Sequence, residues 1–133
     1  MQIARVGSFF APACRLEVVR VVTDPDGDAE VLATDVDTAD SIPSQLRGLT
    51  FRRSIPDDYA LAFRFDRAKI RYVHMLFVPF PIDVVWVVDD TVRRVERLRP
   101  WLGFARAEAD LLVELPADAA ADVGVGDRLV LET

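Results

Sequence analysis

The sequence predicts a mainly β fold, a single-domain sandwich or barrel with two short helices. An α+β fold with one antiparallel sheet is the alternative. Three observations lead to this prediction: short β-branched and apolar runs recur along the chain, turn signals separate them, and only two segments begin like helices. A length of 133 residues fits one domain, residues 1–133, that is large enough to bury its own core.

The first forty residues predict a β-hairpin. The runs "CRLEVVRVV" and "EVLATDVDTA" place apolar and polar residues at nearly alternating positions. Between them, "DPDGDA" carries the Asp-Gly signal of a tight turn. This acidic segment is too short for a calcium-binding EF-hand loop and lacks its ligand spacing, so we interpret it as a turn.

Two segments predict the short helices. "SIPSQLRGLTFRR" begins with Ser41 as a candidate N-cap and ends near Gly48, because glycine weakens a helix interior. "PADAAADVG" begins with Pro116 in the first turn, contains helix-favouring alanines, and reaches a candidate stop at Gly124. The remaining chain after this second helix predicts a last strand, Arg128 to Glu132.

The middle of the chain predicts several strands. "YALAFRF" and "IRYVHMLFV" are interpreted as two separate strands, and "VPFP" as an edge or bend because proline has no N–H to donate. Residues 82–88 are apolar at nearly every position, which is typical of a central strand covered on both faces. A turn at Asp89-Asp90 joins them to an alternating strand, and "ADLLVELPA" predicts one more.

The charge of the chain excludes some partners. There are 22 acidic against 16 basic residues, a net charge of −6, which disfavours nucleic acid and anionic membrane surfaces. Only one lysine, Lys69, and no asparagine are present, and aspartate far outnumbers glutamate, a bias typical of an acidic protein from a halophilic source. We expect a soluble protein, because no segment is long and apolar enough for a transmembrane helix.

The amino terminus and the single cysteine bear on location. "MQIARVGSFFAPAC" resembles a lipoprotein signal only faintly, since its apolar part is short and Pro12 interrupts it. We therefore expect an irregular arm that leads into the first strand. Cys14 has no second cysteine to pair with, so we expect no internal disulfide and a cytoplasmic location.

Two titratable residues, His74 and Asp83, lie in the apolar stretch "YVHMLFVPFPIDVVWVV". A buried carboxylate costs several kcal/mol unless it is paired, so Asp83 needs a partner, for which Arg47, Arg52 and His74 are candidates. Asp83 is then either half of a structural ion pair or a polar anchor in a pocket. His74 is either a surface or hydrogen-bonded structural residue, or a ligand contact or acid/base group.

The sequence contains no motif for a metal or a cofactor. There is no second histidine, and Cys14 lies far from His74 along the chain, so no zinc spacing exists. "GVGD" without the rest of a nucleotide motif is interpreted as a turn. No serine lies in a Gly-x-Ser-x-Gly context. We therefore expect no metal, no cofactor and no catalytic nucleophile.

Four segments occur in order along the chain: "ADSIPSQLRGLTFR", "VHMLFVPFPIDVVWVVDDTV", "LRPW" and "LLVELPADAAADVGVGDRLVL". Together they resemble the DUF192 family of small uncharacterised proteins. The resemblance covers roughly residues 33 to 132. It implies a single, mainly β domain, and it implies no activity, because the family has none firmly assigned.

Three functions are compatible with the sequence. The first is a non-enzymatic module that binds a small molecule or peptide near "HMLFVPFPID", with Arg47, Arg52, His74 and Asp83 as polar contacts. The second is a small enzyme with His74 and Asp83 as an acid/base pair, which requires the two side chains to converge. The third is a structural interaction subunit, which requires a contiguous exposed apolar surface.

Overall fold

The structure, a computed structural model, describes residues 18–22, 29–38 and 54–132. Eight strands in these ranges form one sheet, curled into a half-barrel, in the order β2-β1-β8-β6-β5-β7-β4-β3. The strands are β1 (Val18–Val22), β2 (Ala29–Ala33), β3 (Asp35–Thr38), β4 (Tyr59–His74), β5 (Ile82–Val88), β6 (Thr91–Leu98), β7 (Phe104–Pro116) and β8 (Arg128–Glu132). The prediction of a mainly β fold is confirmed.

Strand β5 lies inside the sheet between β6 and β7, and all seven of its residues are buried. Its alternating side chains enter two separate apolar clusters. Val85 and Val87 belong to the first cluster, whereas Val84 and Trp86 belong to the second. The prediction that residues 82–88 form a central strand covered on both faces is therefore confirmed.

A tight turn at Asp89-Asp90 joins β5 to β6, as the sequence predicts. Both residues have positive φ, 50° and 65°, which suits a two-residue hairpin turn and which aspartate tolerates better than most residues. A β-bulge between Trp86 and Val87 then shifts the register of the hairpin by one residue. This shift determines which side chains face each other farther along the two strands.

Strands β4 and β7 are long and pair with each other in two stretches, with an irregularity between Arg64 and Lys69. The prediction of two separate strands before residue 78 is wrong, because one strand of 16 residues runs from Tyr59 to His74. We call the far stretch, residues 69–74 of β4 paired with residues 104–109 of β7, the ribbon. Inward-facing side chains of the ribbon, such as Val73 and Ala105, join the second apolar cluster.

Trp86 connects the ribbon to the main sheet. Its side chain is fully buried in the second cluster, and its indole Nε1 donates a hydrogen bond of 3.0 Å to the backbone oxygen of Arg71 on the ribbon. The β5 strand thus positions the ribbon by apolar packing and by one directed polar contact. After His74 the chain leaves the sheet, so "VPFP" is a bend, as its prolines predict.

The remaining strands complete the sheet. β1 and β2 are antiparallel, which confirms the predicted hairpin, and its turn lies outside the described residues. The predicted second strand is wrong in its extent, because β2 ends at Ala33 and residues 35–38 form the separate strand β3. β3 leaves this hairpin and pairs in parallel with residues 59–62 of β4. β8 begins at Arg128 as predicted and pairs with β1.

Neither predicted helix is found in the part of the chain that the structure describes. The segment of Ser41 to Gly48 lies outside it. The segment after Pro116 forms consecutive turns, with amide-to-carbonyl bonds that span three residues, from Ala119 to Pro116 and from Ala121 to Asp118. Asp118 has a φ of 76°, which interrupts the right-handed helical backbone. The described residues also include no helix with the length and hydropathy needed to cross a membrane.

Candidate functional site

Asp83 is buried and fully engaged in a structural network. Its side chain is 4% exposed and accepts hydrogen bonds from Arg97 Nε at 2.8 Å and from the amide of Ala120 at 3.0 Å. Arg97 is the residue opposite Asp83 on β6. The carboxylate is thus paired, as its burial requires, and it fixes the turns after β7 to the sheet.

Arg97 joins two carboxylates. Its Nη2 also donates to Asp118 Oδ1 at 2.7 Å, and the Asp118 side chain is 80% exposed. The hydrogen bonds to Asp83 and then to Asp118 raise the pKa of the Arg97 guanidinium above its usual value. An arginine is charged over the working pH range of a protein in any case, and the network holds an inner and an outer acid around this one cation.

His74 lies elsewhere. It ends β4 at the end of the ribbon, opposite Phe104, and it is exposed. Its Nδ1 accepts the amide of Leu76 at 3.3 Å, so one ring nitrogen caps the loop after β4. Asp83 shares the sheet face of Val85 and Val87 in the first cluster, whereas the ribbon covers the second. The contacts of the two side chains therefore do not bring them together. Arg47 and Arg52 lie outside the described residues.

The most distinctive surface is at the end of the ribbon. Eight large apolar side chains are exposed in the described part of the chain, and seven of them cluster in the ribbon and in the two loops beside its end. We call this set the tip: Ile70, Tyr72, Leu76, Phe77, Trp101, Leu102 and Phe104.

Ring contacts link four of the tip side chains in two pairs. The rings of Tyr72 and Phe104 are 5.9 Å apart across the ribbon. Those of Phe77 and Trp101 are 5.8 Å apart in an edge-to-face arrangement between the two loops. Large apolar side chains are usually buried, as Trp86 is, but Phe77 is 43% exposed.

The two loops of the tip approach each other closely. The amide of Met75 donates to the backbone oxygen of Gly103 at 3.0 Å. A Cβ on Gly103 would lie 2.8 Å from both Leu98 Cβ and Met75 Cγ, so only glycine allows this approach. Phe77 and Trp101 have positive φ, 62° and 65°, an unfavourable backbone for bulky residues. Such strain is concentrated at functional surfaces in many proteins.

The charge near the tip differs from that of the whole chain. Residues 64–108 carry nine arginines and lysines against six acidic residues, which gives +3 for this stretch and −9 for the remainder. Arg106 lies over the Tyr72 ring, with 6.0 Å between the guanidinium carbon and the ring centroid. The stretch that contains the tip is therefore net positive on an otherwise acidic protein, and Arg106 contacts the tip directly.

Two shallow grooves are present in the described residues. One, of about 280 Å³, lies beside the tip between β6 and the loop before β7, and its lining includes Arg94, Arg99 and Leu102. The other, of about 360 Å³, lies at the bend of β4 and is lined by Arg64, Phe65, Asp89, Asp90, Asp110 and Leu111. No group of three or more histidine, cysteine or acidic side chains in the described ranges is arranged to hold a metal ion.

Several of these residues were not identified from the sequence. Arg97 was missed because one bulge decides its register, whereas Tyr72 and Phe104 were missed because apolar strand residues are usually buried. One signal was available for the tip. "IRYVH" places apolar residues on both faces of a strand that also carries basic side chains, which is compatible with one apolar face at the surface but does not say which face it is.

Two solved structures share the fold. A proposed transcription regulator from Sinorhizobium meliloti 1021 superposes with a TM-score of 0.75 and 25% identity, over 87% of this chain and 93% of that one. A protein of unknown function from Novosphingobium aromaticivorans DSM 12444 gives a TM-score of 0.69 and 22% identity, over 90% of this chain and 89% of that one. At 22% identity, the similarity to the second structure supports a shared fold and nothing about function.

No curated protein matches the chain. The family model of DUF192, described as an uncharacterized ACR, matches residues 21–131 and so includes all of β4 to β7. The resemblance that the four sequence segments indicate is therefore confirmed, and the chain belongs to the DUF192 family.

Proposed function

We propose that this protein is a single-domain, non-enzymatic binding module whose partner docks on the tip. The observation that carries the proposal is the concentration of seven of the eight large exposed apolar side chains of the described residues in one place. Contiguous apolar surface with a polar border is typical of interaction sites, because leaving it in water is unfavourable. Tyrosine and tryptophan, both present here, are common among the residues that dominate binding energy.

A peptide segment fits this surface better than a small molecule does. Small-molecule sites are usually concave and enclose roughly 300–1,000 Å³. The groove beside the tip has about 280 Å³, and half of its lining residues are charged. The apolar side chains themselves project outward from a strand pair and two loops. A partner therefore has to bring its own extended apolar surface to them.

The enzyme alternative lacks a comparable observation. An acid/base pair needs two groups within hydrogen-bond reach of one substrate. Asp83 is occupied by Arg97 and the Ala120 amide, and His74 accepts the Leu76 amide. The regulator description of the Sinorhizobium meliloti protein is compatible with a binding role, because a regulator acts through partners.

A displayed library of random peptides tests the proposal. We expect the wild-type protein to enrich peptides that lose at least about tenfold in affinity for the double variant Tyr72→Ser/Phe104→Ser, since buried aromatic contacts contribute roughly 2 kcal/mol or more. The control is Val125→Ser, which removes the one large exposed apolar side chain of the described residues that lies outside the tip. Calorimetric titration of synthetic copies of the enriched peptides gives the affinities.

Two outcomes would contradict the proposal. One is that repeated selections enrich no peptide above an unrelated acidic protein. The other is that the enriched peptides bind the double variant as well as they bind Val125→Ser. Circular dichroism of both variants shows whether the fold is retained, which we expect because all three side chains are exposed.

A further inference from the structure

We propose that the partner is an extended peptide that adds a third strand to the ribbon along Ile70–His74 and alternates apolar with acidic side chains. This inference rests on the proposed function and specifies the chemistry of the partner. Three features of the ribbon lead to it: an open backbone edge, an apolar outer face and a cationic side chain on the opposite face at that edge.

The register of the ribbon identifies the open edge. In two antiparallel strands, opposite residues alternate between two kinds of pair. In one kind the two residues exchange backbone hydrogen bonds, and in the other their N–H and C=O groups point away from the partner strand. The Met75 amide donates to Gly103, and His74 is opposite Phe104, so His74 belongs to a pair that points away. By the same alternation, the backbone groups of Ile70 and Tyr72 also point away from β7.

Among the described strands, none covers this edge. β3 pairs with β4 only from Tyr59 to Ala62, and the ribbon begins beyond that stretch, at Lys69. Natural proteins usually protect such edges with proline, bulges or several charged residues. Between Lys69 and His74 there is no proline and no bulge, and the charged residues are Lys69 and Arg71, both cations that an acidic partner strand would match. The edge is suited to strand addition, in which backbone hydrogen bonds provide affinity.

The two faces of the edge determine the side chains of the added strand. Ile70 and Tyr72 are 54% and 58% exposed and, with Phe104, form an apolar outer face. Peptide residues opposite them would therefore be apolar. Lys69 is opposite Ala109, which belongs to the second apolar cluster, so the Lys69 side chain lies on the inner face of the ribbon. Because Lys69 is at the edge of the sheet, it is nevertheless exposed.

Lys69 is the cation available to the peptide. The neighbouring Arg71 is already engaged, since its Nε donates to the Ala109 oxygen and its Nη2 to the Arg67 oxygen, while its guanidinium lies 3.7 Å from the Phe65 ring centroid. An acidic side chain on the inner face of the added strand would lie next to both cations. An alternating apolar and acidic peptide therefore complements both faces of the edge.

The peptides that the displayed library enriches in a tip-dependent way serve as probes. We expect them to share alternating apolar and acidic positions. In these peptides, every second residue has its amide facing the edge of the ribbon. N-methylation of those residues is expected to weaken binding at least about tenfold, because each lost backbone hydrogen bond lowers the affinity several-fold. N-methylation of the intervening residues serves as the control and is expected to have little effect.

A charge reversal tests the acidic positions. We expect Lys69→Glu to weaken the same peptides about three- to tenfold, and the control Arg128→Glu, an equal change on β8, to leave them unaffected. Amide hydrogen exchange of Ile70, Tyr72 and His74 is expected to slow in the complex.

Failure of this inference differs from failure of the proposed function. Three results would contradict strand addition: the tip-dependent peptides do not alternate apolar and acidic residues, they tolerate N-methylation at every position, or they leave these three amides unprotected. Each of these results would still be compatible with docking on the tip. The same amides could instead become protected in the protein alone as its concentration rises, with dimers in sedimentation. That result would contradict a peptide partner and would show that a second copy of this chain supplies the added strand.

Discussion

Trp86→Ala is expected to lower the free energy of unfolding by about 3–5 kcal/mol, the usual cost of removing a large buried aromatic side chain. Trp86 is fully buried and is the largest of the completely buried side chains in the described residues. Its removal leaves a cavity beneath the ribbon and deprives the Arg71 oxygen of the indole donor 3.0 Å away. Urea denaturation monitored by circular dichroism gives the value.

The chain contains a matched control, because its second tryptophan lies at the surface. Trp101 is 50% exposed in the tip, so Trp101→Ala is expected to cost less than about 1 kcal/mol. Equal costs for the two alanine variants would show that the ribbon does not pack on Trp86. Trp86→Phe separates the two contributions, since it keeps most of the apolar volume and removes only the indole N–H.

Asp83→Asn is expected to lower the free energy of unfolding by about 1–3 kcal/mol. The variant keeps the shape of the side chain but replaces one acceptor oxygen with a donor NH₂, which then faces the N–H groups of Arg97 and Ala120. Because the side chain is only 4% exposed, water cannot replace the lost bond. Urea denaturation at neutral pH gives the difference from the wild type.

The outer acid of the same network is the control. Asp118→Asn also removes one negative charge from Arg97, yet the Asp118 side chain is 80% exposed, so the change is expected to stay within about 0.5 kcal/mol. Asparagine also tolerates the positive φ of 76° at this position. If Asp118→Asn cost as much as Asp83→Asn, burial would not be the reason for the importance of Asp83.

The parts of the fold that depend on local chemistry could be predicted from the sequence. Residues 82–88 are apolar at nearly every position and form the strand buried on both faces. The Asp89-Asp90 turn and the strand from Arg128 follow from residues that favour turns and from apolar alternation. In each case a few neighbouring residues decide the structure, and no distant contact overrides them.

The parts that depend on register could not be predicted. Counting outward from a two-residue turn at Asp89-Asp90 places Asp83 opposite Glu96, which would be a repulsive pair. The bulge after Trp86 shifts the register by one residue and brings Arg97 opposite Asp83 instead. The partner of the buried acid therefore depends on a single irregularity that no residue type in the segment specifies.

The bend of β4 and the exposure of the tip also could not be predicted from the sequence. "FDRAK" is typical of a break between two strands, but the strand continues through it and turns its far half over the second cluster. Exposure of Tyr72 and Phe104 then follows from tertiary placement, because the inner face of the ribbon already fills the available core with smaller residues such as Val73 and Ala105. Apolarity alone cannot distinguish the two faces of such a strand.

The open edge of the ribbon is the feature on which the strand-addition proposal depends, and residue-resolved amide hydrogen exchange of the free protein tests it most directly. We expect the amides of Arg71 and Val73, which the register directs at β7, to be strongly protected. Those of Ile70, Tyr72 and His74 are expected to exchange at nearly the rate of an unstructured chain. Similar protection of both sets would show that another segment already occupies the edge, and it would contradict strand addition at this site.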